Sequence, residues 1–164
     1  MRKILLGLSG SIACYKTCEL IRLFKKNNDQ VRTMVTQNAL EFIGASTLSA
    51  LTGEPVFQNY DSSAHTHIEL AKWADQLIIA PATARTIAAL AHGFANDLLT
   101  TECLAFTGPK AIAPAMNTHM YTNSIVQQNL NALKTHGFQI LEPESGELSC
   151  GIFQESWPLS LTFN

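Results

Sequence analysis

After its first two residues the chain reads Lys3-Ile4-Leu5-Leu6-Gly7-Leu8-Ser9-Gly10-Ser11-Ile12. The stretch is apolar as far as Leu8 and then changes to small and hydroxyl residues, which is typical of a buried strand that passes into a helix. It resembles the start of a signal peptide, but a mixed helical pattern follows instead of a cleavage site. We therefore predict a first strand at Lys3–Leu8 and a strand-to-helix turn at Gly10-Ser11.

Short runs rich in Ile, Leu and Val recur along the chain and alternate with longer helical patterns. Such strands imply a parallel sheet covered on both faces, and right-handed crossovers then give a single-domain, Rossmann-like doubly wound α/β fold. Ligands of this fold bind at the carboxyl ends of the strands. Further strands are predicted at Val31–Thr36, Pro55–Phe57, Gln76–Ala80, Lys110–Ala113 and Phe138–Leu141. Helices are predicted at Ser11–Asn27, Asn38–Leu51, His67–Ala74, Thr83–Ala91, Asn96–Phe106 and Ser124–His136. The last stretch, Phe153 to Asn164, has no periodicity and is expected to trail over the surface or into a neighbour.

The composition limits the functions to consider. The 164 residues fit one domain, 46% are hydrophobic and only 15% are charged, below the roughly 25% typical of soluble domains. Sparse charge suggests surface buried between subunits. A net charge of −2 without a basic run gives no support to a nucleic-acid or membrane partner. The chain has four cysteines, Cys14, Cys18, Cys103 and Cys150, and their spacing shows neither a disulfide framework nor a metal signature. We therefore expect that no metal is bound and that the thiols are reduced in a cytoplasmic protein.

The segments whose residues could bind a ligand or take part in a reaction follow predicted strands. Pro114-Ala115-Met116-Asn117 follows an apolar run, and the amide of Asn117 could hold a carboxylate or could simply cap the next helix. The turn at Gly10-Ser11 suits a phosphate, although such turns also occur without any ligand. It is not a G-x-G-x-x-G motif, and Thr36 stands where a dinucleotide-binding strand would end in an acid. A mononucleotide is therefore favoured over a dinucleotide.

Three segments follow one another along the chain: His67-Ile68-Glu69-Leu70-Ala71-Lys72-Trp73-Ala74-Asp75, Pro81-Ala82-Thr83-Ala84 and Pro114–Tyr121. In this order they resemble the flavin-dependent cysteine decarboxylases, and in particular the branch that acts in coenzyme A biosynthesis. The resemblance runs from Lys3 to about Gly151. It implies that residues 1–164 are one FMN-binding domain, in which the tail 153–164 matches poorly.

The resemblance also assigns roles. It implies that FMN is held by Gly10, Ser11, Ile12 and Thr36, by a second loop with Thr83 and Thr86, and by Ala115. His67 is implied as a catalytic residue, whereas a lone His near a helix start is more often a cap or a surface residue. Asn117 and Met116 are implied to bind the substrate. Met116 and Met120 are also expected to pack near the flavin edge, although filling of the core is the simpler account. The match at Asn96-Asp97 looks locally like a helix N-cap and is expected to order loops at a subunit contact.

Cys150 matches a cysteine that donates a proton in the coenzyme A branch, although a loop cysteine can also be incidental. The glycine- and arginine-containing sequence usual after it is replaced here by Ile152-Phe153-Gln154-Glu155-Ser156-Trp157. The segment that in the family closes over the substrate as a flap therefore has a different sequence in this chain.

The implied substrate is 4′-phospho-N-pantothenoylcysteine, decarboxylated through thioaldehyde and enethiol intermediates to 4′-phosphopantetheine. The implied assembly is a homo-oligomer, either a trimer or a dodecamer built from trimers, with a fused or separate phosphopantothenoylcysteine synthetase. One alternative is an oxidative peptidyl-cysteine decarboxylase of the lantibiotic type, which stops at the enethiol. Another is a flavin-binding phosphatase-regulatory protein, which usually carries a long acidic tail that is missing here.

Overall fold

The computed structural model describes residues 1–58, 66–142, 144–148 and 151–156. Within these ranges the chain forms eight strands, seven α-helices and one 3-10 helix at Gln37–Glu41. The strands are β1 (Lys3–Leu8), β2 (Gln30–Val35), β3 (Val56–Phe57), β4 (Gln76–Ala82), β5 (Lys110–Pro114), β6 (Phe138–Ile140), β7 (Glu144–Leu148) and β8 (Gly151–Ser156). The α-helices are α1 (Cys14–Lys26), α2 (Ala45–Thr52), α3 (Thr66–Trp73), α4 (Ala84–Ala91), α5 (Leu98–Ala105), α6 (Thr118–Tyr121) and α7 (Ser124–Thr135).

Six strands form one parallel sheet in the order β3-β2-β1-β4-β5-β6. β1 pairs with β2 along its whole length, from Lys3 opposite Gln30 to Leu8 opposite Val35, and with β4 on its other side. The strand order reverses between β1 and β4, and an open α/β sheet has a crevice at such a point, beyond the carboxyl ends of the strands. The predicted fold class is confirmed.

The core explains why the strands read as continuous apolar runs. Side chains alternate across a strand, so Ile4 and Leu6 pack in the cluster formed with α1 and α2, whereas Leu5 packs in the cluster formed with α3, α4, α5 and α7. All three are fully buried. Helices therefore cover both faces of the sheet. None of the helices in the described ranges is long and apolar enough to cross a membrane.

One predicted helix is wrong as a single element. The segment predicted as a helix at Asn38–Leu51 consists of the 3-10 helix at Gln37–Glu41 and of α2, which starts at Ala45. Gly44, between them, is extended with φ −70° and ψ 141° and is the N-cap of α2, so the helical dihedrals stop there. The other predicted helices and strands agree with the structure to within a few residues at each end.

The carboxyl-terminal part of the chain differs from the expectation. β7 and β8 pair antiparallel as a separate hairpin, so the prediction that the chain trails away from Phe153 is wrong for residues 153–156. Residues 157–164 lie outside the described part. Antiparallel pairing satisfies backbone N–H and C=O groups without requiring a regular side-chain pattern, and periodicity therefore gave no sign of it.

Candidate active site

Ser9 connects the ends of β1 and β4. Its N–H and its hydroxyl both donate to the carbonyl of Pro81, at 3.0 and 2.9 Å, and its hydroxyl oxygen lies 2.9 Å from the N–H of Thr83, which donates to it. Ser9 is buried. These bonds place the Gly10 turn beside the Thr83 loop, as the sequence predicts. Sequence analysis missed Ser9 itself, although a hydroxyl residue at a strand exit was the available signal.

The other strand-end loops meet at the same edge. The N–H of Thr36 donates to the carbonyl of Leu8 at 2.9 Å, and the N–H of Ala115 donates to the carbonyl of Ala82 at 2.9 Å. A Cβ placed on Gly10 would lie 2.6 Å from the Cβ of Asn38, so only glycine allows the β1 turn to approach the 3-10 helix this closely. The predicted convergence of these loops is confirmed.

A cavity of about 710 Å³ opens between these loops. Of the predicted cofactor residues, Gly10, Thr36, Thr83 and Thr86 line it. Sequence analysis missed several residues that share its wall, because their polar side chains look like ordinary turn and cap residues: Ser9, Gln37, Asn38, Gln58, Arg85 and Thr100. Its volume is within the range of small-molecule sites.

Ser11, Ile12 and Ala115 are not among the residues that line this cavity in the described part of the chain. The hydroxyl of Ser11 accepts a hydrogen bond from the N–H of Ala13 at 3.2 Å and so shapes the turn. Ile12 is 47% exposed. Their predicted contacts with the cofactor stay predictions.

The loop after β4 presents hydroxyls to the cavity. Thr83 is the N-cap of α4 and accepts a hydrogen bond from the N–H of Thr86, while the two hydroxyl oxygens lie 3.2 Å apart. Across the cavity, the Oγ1 atom of Thr36 is shielded from solvent and has no hydrogen-bond partner in the described structure. A polar atom without a partner calls for a ligand or water, and a hydroxyl can turn towards one about χ1. Together with the close approach at Gly10, this donor set fits a flavin mononucleotide.

The segment Asn96-Asp97 borders the same cavity. Asp97 is the N-cap of α5 and accepts a hydrogen bond from the N–H of Thr100 at 2.8 Å, and the hydroxyl of Thr100 in turn accepts from the N–H groups of Asn96 and Asp97. The predicted N-cap is confirmed. Its expected place at a subunit contact stays a prediction.

Asn117 is the N-cap of α6, and its Oδ1 accepts a hydrogen bond from the N–H of Met120 at 2.9 Å. The capping alternative is therefore confirmed, and it leaves the two N–H donors of the side-chain amide for a ligand. Met116 is buried in the core on the α5 and α7 side, whereas Met120 lines the cavity.

Two predicted catalytic residues cannot be placed in full. His67 is the second residue of α3, which confirms its position at the start of a helix, but its side chain lies outside the described part of the structure. Cys150 also lies outside it. Their roles stay predictions.

Below the cavity, α5 carries a buried acid that sequence analysis did not identify. Glu102 is fully buried, and neither carboxylate oxygen has a hydrogen-bond partner in the described residues. Burial raises the pKa of Glu102 to about 8, so the carboxyl group is largely protonated at pH 7. Burial likewise raises the pKa of Cys103, next to it. Both groups are too well buried to act on a ligand in the cavity.

A doubly wound sheet with a hydroxyl-lined cavity at its switch point is the arrangement typical of nucleotide-binding α/β proteins. The model of the Flavoprotein family matches residues 1–157, and the chain therefore belongs to the Flavoprotein family.

Among individual proteins, the chain is 51% identical over 154 residues to the coenzyme A biosynthesis bifunctional protein CoaBC of Haemophilus influenzae. That alignment covers 92% of this chain and 38% of the relative, so the chain spans well under half the length of this curated relative.

Two solved structures are similar over most of the chain. A mutant PPC decarboxylase complexed with pantothenoylaminoethenethiol has a TM-score of 0.82 and 32% identity, and the match covers 98% of this chain and 93% of that one. The FMN-dependent cysteine decarboxylase SpaF has a TM-score of 0.83 and 32% identity, with 88% and 85% covered.

Proposed function

We propose that this chain is an FMN-dependent carboxy-lyase that converts 4′-phospho-N-pantothenoylcysteine to 4′-phosphopantetheine in coenzyme A biosynthesis. The observation that carries this proposal is the meeting of the Gly10, Thr36 and Thr83 loops around one cavity. Asn117, the N-cap of α6, follows the next strand of the sheet, β5. The similarity to CoaBC and to PPC decarboxylase supports the choice of substrate.

FMN is the proposed cofactor, held by Gly10, Thr36, Thr83 and Thr86, with Ser11, Ile12 and Ala115 as further predicted contacts. When bound, it supplies a two-electron oxidation of the cysteine side chain, so that carbon dioxide leaves next to a C=S group, and it later returns the two electrons. The protein positions the reactants and moves protons.

Asn117 binds the substrate carboxylate in this proposal. Since its Oδ1 accepts from the N–H of Met120, the amide nitrogen, with its two N–H donors, is left to bind the carboxylate. Met116 is buried in the core, and the backbone that leads from it to Asn117 shapes the approach of the substrate. His67 acts as a base or hydrogen-bonding partner on the substrate during oxidation, because an imidazole titrates near working pH. Cys150 donates the proton that completes the reduced product.

Oxidative peptidyl-cysteine decarboxylation is the second candidate. It is favoured by the likeness to SpaF and by the unusual sequence after Gly151, and it is opposed by the presence of Cys150. A flavin-binding phosphatase-regulatory protein ranks third. We also propose that residues 1–164 form one flavoprotein domain. A synthetase, fused or separate, accompanies this domain, and the protein works in the cytoplasm.

The proposed enzyme is a homo-oligomer, either a trimer or a dodecamer built from trimers. Large apolar side chains close in sequence to cavity-lining residues are about half exposed in the single chain, which supports apolar subunit contacts: Ile12, Tyr15, Phe42 and Phe94. Light scattering on the flavin-bound protein tests this, and a monodisperse monomer would contradict it.

The deciding experiment incubates the purified protein with phosphopantothenoylcysteine and weighs the product. Loss of carbon dioxide alone supports the proposed function. Loss of carbon dioxide and two hydrogens supports the oxidative reaction instead, and a flavin-bound protein without turnover supports the regulatory one. A colourless protein that fails to bind added FMN rules out all three.

A further inference from the structure

Tyr121 and Glu142 connect α6 to the segment that leads into the β7–β8 hairpin. The hydroxyl of Tyr121 donates to Oε2 of Glu142 at 2.6 Å, and Nζ of Lys134 donates to Oε1 at 3.1 Å. The carboxylate is thus shared between the last residue of α6 and the last turn of α7. A hydroxyl bonded to a carboxylate at this distance makes a strong, charge-assisted hydrogen bond.

The ionisation states support this bond. Partial burial and the neighbouring Glu142 raise the pKa of Tyr121 to about 12, so its hydroxyl keeps its proton near neutral pH. The hydrogen bond from Tyr121 lowers the pKa of Glu142, and Lys134 adds to this effect. At neutral pH the donor and the acceptor are therefore both in the required form.

Asn117 lies at the other end of α6, the short helix that ends at Tyr121. Asn117 caps α6 through the N–H of Met120, and the N–H of Tyr121 donates to the backbone carbonyl of Asn117 at 2.9 Å. The side-chain amide of Gln127, on α7, donates to the carbonyl of Tyr121 at 2.6 Å. One fixed helical turn therefore separates the predicted carboxylate-binding amide from the Tyr121–Glu142 bond.

The hairpin is placed by the same elements. Only residue 143 separates Glu142 from β7, and β8 packs against α6. Neither Tyr121 nor Glu142 is among the residues that line the cavity. Any effect of this pair on the reaction is therefore indirect, through the elements that the pair holds together.

We infer that Tyr121 and Glu142 are a positioning pair that holds the β7–β8 hairpin in a fixed place relative to Asn117. The inference rests on the proposed function, in which Asn117 binds the substrate carboxylate and Cys150, between β7 and β8 in sequence, donates the final proton. Losing the pair loosens the hairpin and so impairs that last proton transfer more than it impairs release of carbon dioxide.

Hydrogen exchange tests the structural half of this inference on the FMN-loaded protein without any turnover. Tyr121→Phe is expected to speed amide exchange in residues 144–148 and 151–156 about five- to tenfold, the size expected for one hydrogen bond to a charged group near the surface. Glu142→Gln should act in the same direction, since it keeps an acceptor but loses the charge. Tyr15→Phe, which removes a hydroxyl from the half-exposed tyrosine of α1, is the matched control and should change nothing there. Exchange that stays within about twofold of wild type in Tyr121→Phe overturns the inference.

Product analysis tests the functional half. In aerated buffer, where dioxygen reoxidises FMN that is left reduced, a larger share of turnovers of Tyr121→Phe and Glu142→Gln should end at the product that has lost carbon dioxide and two hydrogens. The rate of carbon dioxide release should change less than twofold, about the error of such a comparison. Faster exchange with an unchanged product ratio overturns the catalytic consequence. If wild type itself never decarboxylates the substrate, the proposed function fails, whereas the exchange result still decides whether the pair holds the hairpin.

Discussion

The side-chain oxygen of Asn117 accepts a hydrogen bond from the backbone N–H of Met120 at 2.9 Å. Capping and substrate binding, which the sequence offers as alternatives, are thereby compatible. The cap occupies the oxygen of the amide and fixes the plane of the group, so the nitrogen, with its two donors, keeps a defined direction. A helix cap thus orients a binding group.

Asn117→Asp is expected to abolish decarboxylation while FMN binding and the melting temperature stay close to wild type. An aspartate caps a helix about as well as an asparagine, but it sets a carboxylate against the substrate carboxylate. At ~4 Å and an effective dielectric near 20 the repulsion is on the order of 4 kcal/mol, or about a thousandfold in rate. Asn123→Asp is the matched control, because Asn123 caps α7 in the same way through Ile125. Near-normal turnover in Asn117→Asp would remove Asn117 from the site.

His67→Asn is expected to abolish decarboxylation while the protein keeps its flavin. The amide of asparagine has a similar size but cannot take up a proton near neutral pH, as the proposed role on the substrate requires. Turnover and the flavin absorption spectrum are measured on the same sample, with His136→Asn, at the exposed C-cap of α7, as the control. If His67→Asn turns over as fast as wild type, His67 is only a helix-start residue.

Gly10→Ala is expected to weaken FMN binding and to lower the free energy of unfolding by about 1–3 kcal/mol, the usual cost of inserting a methyl group where none fits. The added Cβ would lie 2.6 Å from the Cβ and 3.0 Å from the backbone of Asn38, so the β1 turn and the 3-10 helix must separate. Gly44→Ala is the control, since the nearest atom to its added Cβ is 3.9 Å away. Flavin fluorescence titration and chemical denaturation measure the two effects. Wild-type affinity in Gly10→Ala would place the flavin elsewhere.

Cys150→Ser is expected to separate the two halves of the reaction. A serine hydroxyl is a much poorer acid than a thiol with a pKa near 8.5, so carbon dioxide should still leave while the final protonation stalls. A product two hydrogens lighter should then accumulate, and the yellow colour should bleach under anaerobic conditions. Cys18→Ser, on α1, is the control. Formation of phosphopantetheine at the wild-type rate would mean that Cys150 is an incidental loop residue.

Glu102→Gln is expected to remove part of the pH dependence of stability. The pKa of Glu102 is raised from 4.5 to about 8 in the folded protein, so between these values the folded state holds a proton that the unfolded state has lost. The contribution of Glu102 to stability is therefore fully present below pH 4.5 and is lost as pH rises through this window, by up to about 1.4 kcal/mol per pH unit. The variant cannot ionise, and at pH 8 it should be the more stable protein by a few kcal/mol. Denaturation at several pH values checks this against Glu19→Gln, which alters an exposed carboxylate of α1. Equal slopes in Glu102→Gln and wild type would contradict the assigned burial effect.

Much of the fold follows from short-range pattern. The strand at Lys3–Leu8 was predicted with its observed bounds, because an apolar run that ends in small residues specifies a buried strand on its own. The helix predicted at Asn38–Leu51 failed because Gly44 leaves no mark on hydrophobic periodicity, yet its extended backbone ends the helical run. The β7–β8 hairpin was missed for a similar reason, since backbone pairing decides it.

The sequence by itself determined the order of the elements from β1 to β6, apart from the break at Gly44 and the short α6. It also determined the positions of the Gly10, Thr83 and Asn117 segments at strand exits and the family that they resemble. All of these depend on residues that are neighbours along the chain. Only the tertiary structure decided that the hydroxyl of Ser9 bonds to Pro81, 72 residues away, and that Glu102 is buried without a partner. Hydrogen-bond partners and burial depend on which strands and helices pack side by side, and local periodicity carries no record of that choice.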